Sequence, residues 1–287
     1  MKPSKFSYHA PERVEEAVGL LAEHGGDAKV LAGGQSLVPM MSFRLATVEH
    51  LIDINTVAGL DTIERLNGLL RIGALVRQAV AEHDTTVAGS APLVARALPH
   101  IGHFQIRNRG TIGGSIAHAD PASELPAVAL ALDATMEIDG PGGHREVAAS
   151  DFFESTWTTA LGDDELLTAI RFPVWSGRVG FAVEEIARRH GDFALVGAAV
   201  GVELDGDTVV RAAIGLFGVG STPIRATAAE QALLAGGANA DLAAVGSEAA
   251  NGLNPAADLH ASADYRKRVA AVVVRRALAK AITEARS

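Results

Sequence analysis

Residues 30–54 read VLAGGQSLVPMMSFRLATVEHLIDI. Lys29–Ala32 is a short aliphatic run that predicts a buried strand, ended by Gly33-Gly34. Gln35 and Ser36 come next. Leu37–Leu45 then predicts a short helix despite Pro39, and His50–Ile54 a second strand. A glycine pair has no Cβ to hold off a ligand and can take positive φ. Successive backbone N–H groups then converge on an anion, and a following hydroxyl adds a donor. No acid, cysteine or obvious nucleophile stands beside the pair.

A second stretch has the same form. Residues 109–116 read RGTIGGSI, about 80 residues further on. Neither stretch is followed by the GK[ST] of a Walker loop, and neither fits the GxGxxG fingerprint. Either one alone reads as an ordinary turn. Two together favour a ligand with two phosphates, held one by each loop. On that reading a branched side chain at Gly33 or Gly114 blocks the approach of phosphate.

The first helix is expected over Pro11–Glu23, with Val14, Val18 and Leu21 on one face and Gly25-Gly26 as its stop. Asp61–Leu66 and Leu69–Ile72 flank Asn67-Gly68, a strong signal for a hairpin with a type I′ turn. Helices are expected near 75–82, 91–98 and 123–132, and strands at Thr135–Ile138, Glu146–Ala148 and Glu165–Phe172. Pro173–Gly180 (PVWSGRVG) reads as a linker. Phe181–Ile186, Ala194–Leu204 and Thr208–Val219 then form three strands, followed by helices near 225–234, 240–250 and 264–285. The fold class is α+β in two domains, residues 1–176 and 177–287.

The 287 residues suffice for two cores. Net charge is −9 with scattered Lys and Arg, which argues against a nucleic-acid partner. No apolar run is long enough to span a membrane, and MKPSKFSYHAPERVEE lacks the apolar core of a signal peptide, so a cytoplasmic location is expected. With no cysteine, the chain offers no thiolate for zinc or an iron–sulfur cluster.

AGGQSLVPMMSFRLATVEHLIDIN and IRNRGTIGGSIAHADPASELPAVALAL resemble the flavin-binding medium subunits of molybdenum hydroxylases, the carbon monoxide dehydrogenase and xanthine dehydrogenase family. The likeness runs from FSYHAPE through GDFALVGAAV to ADYRKRVAAVVVRRAL. It implies an N-terminal FAD-binding region of two α/β subdomains and a C-terminal domain with a three-stranded antiparallel sheet and helices. It further implies that Ala32, Gly33, Gly34, Gln35, Ser36 and Leu37, with Thr111, Ile112, Gly113, Gly114 and Ser115, grip the FAD pyrophosphate. Glu124 stands where the family often has Asp, and Ser115 where it often has Asn. Leu161 and Phe193 fall at positions that lie near the cofactor.

The resemblance also implies partners. These are a small subunit with two [2Fe–2S] clusters and a large subunit with the molybdenum cofactor, in a dimer of heterotrimers that serves an external electron acceptor. No catalytic side chain is then needed, because the flavin carries the chemistry. Two other readings are a stand-alone FAD-dependent oxidase or dehydrogenase, and a non-catalytic binding module. His100 and His103, at i, i+3, are a weak metal candidate. His118 and Asp120 follow the second loop, and Asp120 is expected to cap the next helix. Arg107 and Arg109 precede that loop and are weighed as a positive potential, a partner contact or solvated charges. Val269, Val272, Val273, Leu278 and Ile282 are expected in the core.

Overall fold

The computed structural model describes residues 2–287. The N-terminal unit is a parallel α/β layer made of β1 (Ser7–His9), α1 (Val14–His24), β2 (Ala28–Leu31), α2 (Leu37–Ser42) and β3 (His50–Asp53). Its strand order is β1-β3-β2, all parallel. Val18, Leu21 and Ala17 of α1 pack on Ala28, Ile52 and Ile54, so the helical stripe and the strand alternation bury the same face. The first glycine pair leaves the C-terminal end of β2.

The second unit is antiparallel. It contains β4 (Ile63–Leu66), β5 (Leu69–Gly73), α3 (Gln78–His83), α4 (Thr85–Ser90), α5 (Pro92–Ala97), α6 (Phe104–Arg107), α7 (Ile112–His118), α8 (Glu124–Ala131), β6 (Thr135–Gly140), β7 (Gly143–Ala148), α9 (Ala149–Phe152), β8 (Phe153–Ser155), β9 (Thr158–Thr159) and β10 (Leu166–Pro173). The main sheet runs β4-β5-β10-β6-β7. Asn67 (φ 52°) and Gly68 (φ 78°) turn β4 into β5 with the left-handed backbone that a type I′ hairpin requires. The α4 helix was not expected from its sequence, TTVAGS. It forms because the Asp84 carboxylate caps it, accepting from Val87 N–H at 2.9 Å.

The C-terminal unit comprises β11 (Arg178–Ala187), β12 (Ala194–Asp205), β13 (Thr208–Phe217), β14 (Ile224–Arg225), α10 (Thr227–Gly236), α11 (Leu242–Ala250) and α12 (Ala263–Arg286). The expected three-stranded sheet gains a two-residue edge strand, β14, paired with Gly215 and Leu216. On α12, Val273, Leu278 and Ile282 are buried as expected, whereas Val272 is 37% exposed and faces outward. Among the described residues no helix is long and apolar enough to cross a membrane.

The expected linker Pro173–Gly180 is mostly structure. β10 runs through Pro173 and β11 starts at Arg178. Between them Trp175 is buried against Phe181, with the Arg211 guanidinium 4.0 Å from its ring. One apolar cluster therefore continues from Leu70 and Phe172 to Phe181, Ala199 and Phe217. α8 sits inside it: Gly215 lacks a side chain where the Ala127 carbonyl of α8 lies against β13.

Candidate functional site

The two glycine segments come from different units and meet. A Cβ built on Gly33 would lie 2.8 Å from Gly110 Cα and closer still to the Arg109 carbonyl oxygen. A Cβ built on Gly114 would lie 3.8 Å from that of Ala32. Gly33 is thus glycine because backbone of the second segment occupies its side-chain space. This corrects the expectation that the missing Cβ there makes room for phosphate. Gly113 is small for a similar reason, since an added Cβ would stand 2.6 Å from Ala74 Cα.

The segments also differ in what they offer a ligand. The second was expected to be a loop with free N–H groups, but it is the first turn of α7. Ile112 N–H donates to Val76 O (2.9 Å) and Gly113 N–H to Ala74 O (3.0 Å). Gly114 N–H donates to the Thr111 hydroxyl (2.9 Å) and Ser115 N–H to Thr111 O (3.2 Å). These four amides are occupied, which leaves the hydroxyls of Thr111 and Ser115 and the Thr111 N–H as the polar groups at this turn.

The first segment is the reverse. Among the described residues, the N–H groups of Gly33, Gly34, Gln35, Ser36 and Leu37 have no protein acceptor; bonding resumes at Val38, which donates to Gly34 O at 3.0 Å. Gly34 has φ +72° and reverses the chain at this point. Five consecutive unpaired amides around a left-handed residue, next to the start of α2, are the backbone pattern from which anion nests are built. Gln35 is held back over it, its Nε2 donating to Gly33 O at 3.0 Å.

A polar brace that the sequence reading missed joins the two halves. Asn55 Nδ2 donates to Ala32 O at 2.9 Å, and Asn55 Oδ1 accepts from Arg77 Nη2 at 2.6 Å. Arg77 Nη1 in turn donates to Arg109 O at 2.5 Å, and Arg77 bridges to Thr111 along the backbone. Asp53 Oδ1 accepts from Asn55 N–H at 3.0 Å, and Asp53 Oδ2 from the Tyr8 hydroxyl at 2.7 Å. Burial raises the Asp53 pKa. The hydrogen bonds from Asn55 and Tyr8 and the charge of Arg109 outweigh it, so the carboxyl is held below its usual range. Burial and the nearby Arg109 lower the pKa of Arg77. Asp53 and Asn55 follow the first glycine pair by about twenty residues, and no motif in the sequence singles them out.

The remaining candidates are distributed unevenly. Glu124 opens α8 and is 5% exposed. Burial, reinforced by the charge of Glu185 and opposed by that of His100, pushes its carboxyl up to about 8. Burial thus favours its neutral, protonated form. Leu161 is half-buried against the main core. Phe193 is 63% exposed in the turn before β12. That turn rests on the loop before α6, because Gly191 faces the His103 ring.

Arg107 is not available to a phosphate. It is buried in an ion pair with Glu82 (2.7 Å) and donates to the carbonyls of Ile101 and Gly102. Asp120 does not cap α8. It accepts from Ala122 N–H in a turn and from the Trp157 indole at 3.2 Å. His100 and His103 do not pair: His100 faces Glu185 at 3.3 Å, which raises its pKa.

Two α/β units thus meet at a pair of glycine segments, one of which leaves a row of backbone donors free. Comparison with known proteins gives the kind of protein this is. Residues 4–175 match the model described as "FAD binding domain in molybdopterin dehydrogenase", and residues 181–281 match "CO dehydrogenase flavoprotein C-terminal domain". The chain is 43% identical to the 6-hydroxypseudooxynicotine dehydrogenase complex subunit alpha of Paenarthrobacter nicotinovorans, over 100% of this chain and 97% of that one.

Solved structures agree. Carbon monoxide dehydrogenase from Hydrogenophaga pseudoflava, in a form lacking the Mo-pyranopterin moiety of its cofactor, superposes with TM-score 0.96 at 42% identity over 99% of both chains. Quinoline 2-oxidoreductase from Pseudomonas putida 86 gives 0.95 at 37% identity over the whole of both chains. The chain belongs to the FAD-binding subunit family of the molybdopterin dehydrogenases, and it is an oxidoreductase flavoprotein.

Proposed function

We propose that this chain is the electron-transfer subunit of a heterotrimeric molybdenum hydroxylase. In that assembly substrate is oxidised at a molybdenum cofactor on a large subunit. Electrons cross [2Fe–2S] clusters on a small subunit, reach this chain and leave to an external acceptor. Bound FAD supplies the capacity to take electrons singly and release them singly or in pairs. With no cysteine, the chain itself has no thiolate for such clusters, which fits their placement on a partner.

The observation that carries this reading is the row of five unpaired amides from Gly33 to Leu37. A pyrophosphate is the group whose charge such a row matches, and charge-assisted hydrogen bonds from it contribute about 1.5–3 kcal/mol each. In this reading Ala32–Leu37 hold the phosphates through backbone. The Thr111 and Ser115 hydroxyls close the site from the other unit. Ile112, Gly113 and Gly114 shape that wall rather than donate to it. Glu124 would give the cofactor a polar contact, and Leu161 and Phe193 apolar ones. Asn55 and Arg77 position both halves.

The test is co-expression of the chain with candidate iron–sulfur and molybdenum subunits. Purification should give FAD, iron and molybdenum in one complex whose flavin is bleached by the complex's substrate. The chain alone should hold FAD that no such substrate reduces. Reduction of the isolated chain by substrate would overturn the assignment and place the chemistry within this subunit.

A further inference from the structure

Three histidines from three elements meet at the far end of the N-terminal unit. His9 closes β1, His24 closes α1 and His50 opens β3. Strand alternation turns His9 and His50 to the α1-covered face, since Ser7 and His50 are register partners and His9 stands two residues beyond Ser7. One ring nitrogen from each of the three lies within 4.8 Å of the others. His9 Nε2 and His50 Nδ1 are 3.1 Å apart, and the His24 and His50 rings are stacked with centroids 3.6 Å apart. All three side chains are half-buried. Among the described residues none of them forms an ion pair with a carboxylate.

We propose that His9, His24 and His50 form a binding site for one divalent transition-metal ion of the imidazole-preferring class, Zn2+ foremost. Two nitrogens on one tetrahedral zinc, with Zn–N of about 2.0–2.1 Å, stand roughly 3.3 Å apart. The 3.1 Å His9–His50 separation is about 0.2 Å short of this, so a small opening of the pair would admit the ion. His24 completes a three-imidazole set when its ring tips out of the stack, leaving the fourth position to water. Cysteine is absent from the chain, so softer thiolate competition is absent too. The sequence neighbours Glu23, Asp27 and Glu49 are exposed acids that favour a cation here. The ion would pin the end of α1 to the edge strand β1 and the central strand β3.

This site is distinct from the flavin cradle. His50 is in register with Ala28 at the start of β2, whereas the glycine pair follows Leu31 at its other end. Its success or failure is therefore read independently of the flavin assignment.

The experiment uses the full-length flavin-loaded chain. It is stripped with EDTA, titrated with ZnCl2 by calorimetry, desalted and analysed for zinc and FAD in the same sample. We expect one zinc per chain, a higher Tm that EDTA reverses, and FAD content unchanged. His24→Gln and His50→Gln should each weaken zinc affinity by more than the about tenfold that losing even an outer partner costs. No uptake by the wild type would overturn the proposal, as would uptake that both variants retain. Co2+ added to the wild type gives a check that needs no variant. A tetrahedral visible spectrum displaced by Zn2+ supports the site, and a purely octahedral one refutes it.

Discussion

Gly33→Ala is the sharpest perturbation of the cradle. The added methyl would sit 2.8 Å from Gly110 Cα, where ordinary contact begins at 3.4 Å, so the segments must part by 0.6 Å (3.4 − 2.8) or more. Both obstructing groups are backbone and cannot swing aside. Overpacking of this kind costs about 1–3 kcal/mol of stability. The larger effect falls on the flavin. Parting the halves misaims one or two of the five amides, each worth about 1.5–3 kcal/mol to an anion. At 1.4 kcal/mol per decade, FAD affinity drops by about tenfold (one amide at the low end) to about ten-thousandfold (two at the high end).

The assay is FAD binding to the folded apo chain by fluorescence quenching, with a thermal melt of each variant. Gly68→Ala is the control: its φ is +78° with open space around it, so it bears only the left-handed strain of about 1–2 kcal/mol and leaves FAD affinity unchanged. If Gly33→Ala binds FAD as tightly as Gly68→Ala does, the contact between the segments does not set the cradle and the reasoning fails.

Other expectations are these. Asn55→Ala frees Ala32 O and Arg77 and should weaken FAD about tenfold, with a stability loss near 1 kcal/mol; unchanged binding in a fluorescence titration would remove Asn55 from the brace. The Glu124 carboxyl has a folded-state pKa raised to about 8, so it is protonated in the folded chain and ionised in the unfolded one between the ordinary carboxylate range and that value. Wild-type apo stability should then fall by roughly 1.4 kcal/mol per pH unit across that window relative to Glu124→Gln, and parallel urea curves at pH 5, 7 and 9 would contradict it.

Arg96 joins α5 to Glu284 of α12 at 2.5 Å, and Glu284 also accepts from Phe181 N–H at 3.0 Å. The Arg96 hydrogen bond lowers the Glu284 pKa, so its contribution is present above the ordinary carboxylate range and is lost as pH falls through the depressed value. More than a third of each side chain is exposed, so Glu284→Gln should cost no more than about 1 kcal/mol; a larger loss in a neutral-pH melt would mean the junction depends on this pair alone. Gly180→Ala should be the most destabilising of these changes, because its methyl would be driven into the Ala281 carbonyl under α12; a Tm within 2 °C of wild type would show that α12 can shift away.

Much of the fold was legible because local signals decided it. Asn67-Gly68 fixed a hairpin, and long apolar runs parted by Asp205-Gly206 marked β12 and β13. Signals that depend on partners were not legible. Gly33 and Gly113 looked like ligand-facing glycines, but what they accommodate, Arg109–Gly110 and Ala74, lies far away in sequence. TIGGSI reads as a loop because two glycines weaken a helix. It becomes α7 because Thr111 caps it and Val76 and Ala74 accept its first amides. Asn55 and Arg77 carry no motif, and their role exists only where two units meet. His9, His24 and His50 share no helical or strand spacing, so the i, i+3 pair His100 and His103 drew attention instead.

The seam between the two N-terminal units has a consequence for how the chain survives in a cell. Its halves touch at Gly33, through the polar Asn55–Arg77 brace, and where Leu75 and Leu166 join the core under α1. A ligand that spans such a seam adds stability by mass action, about 2.7 kcal/mol at a hundredfold excess over its Kd. Newly made chain short of flavin would therefore be the species that proteases clear first. Flavin supply would then bear on how much of this subunit accumulates.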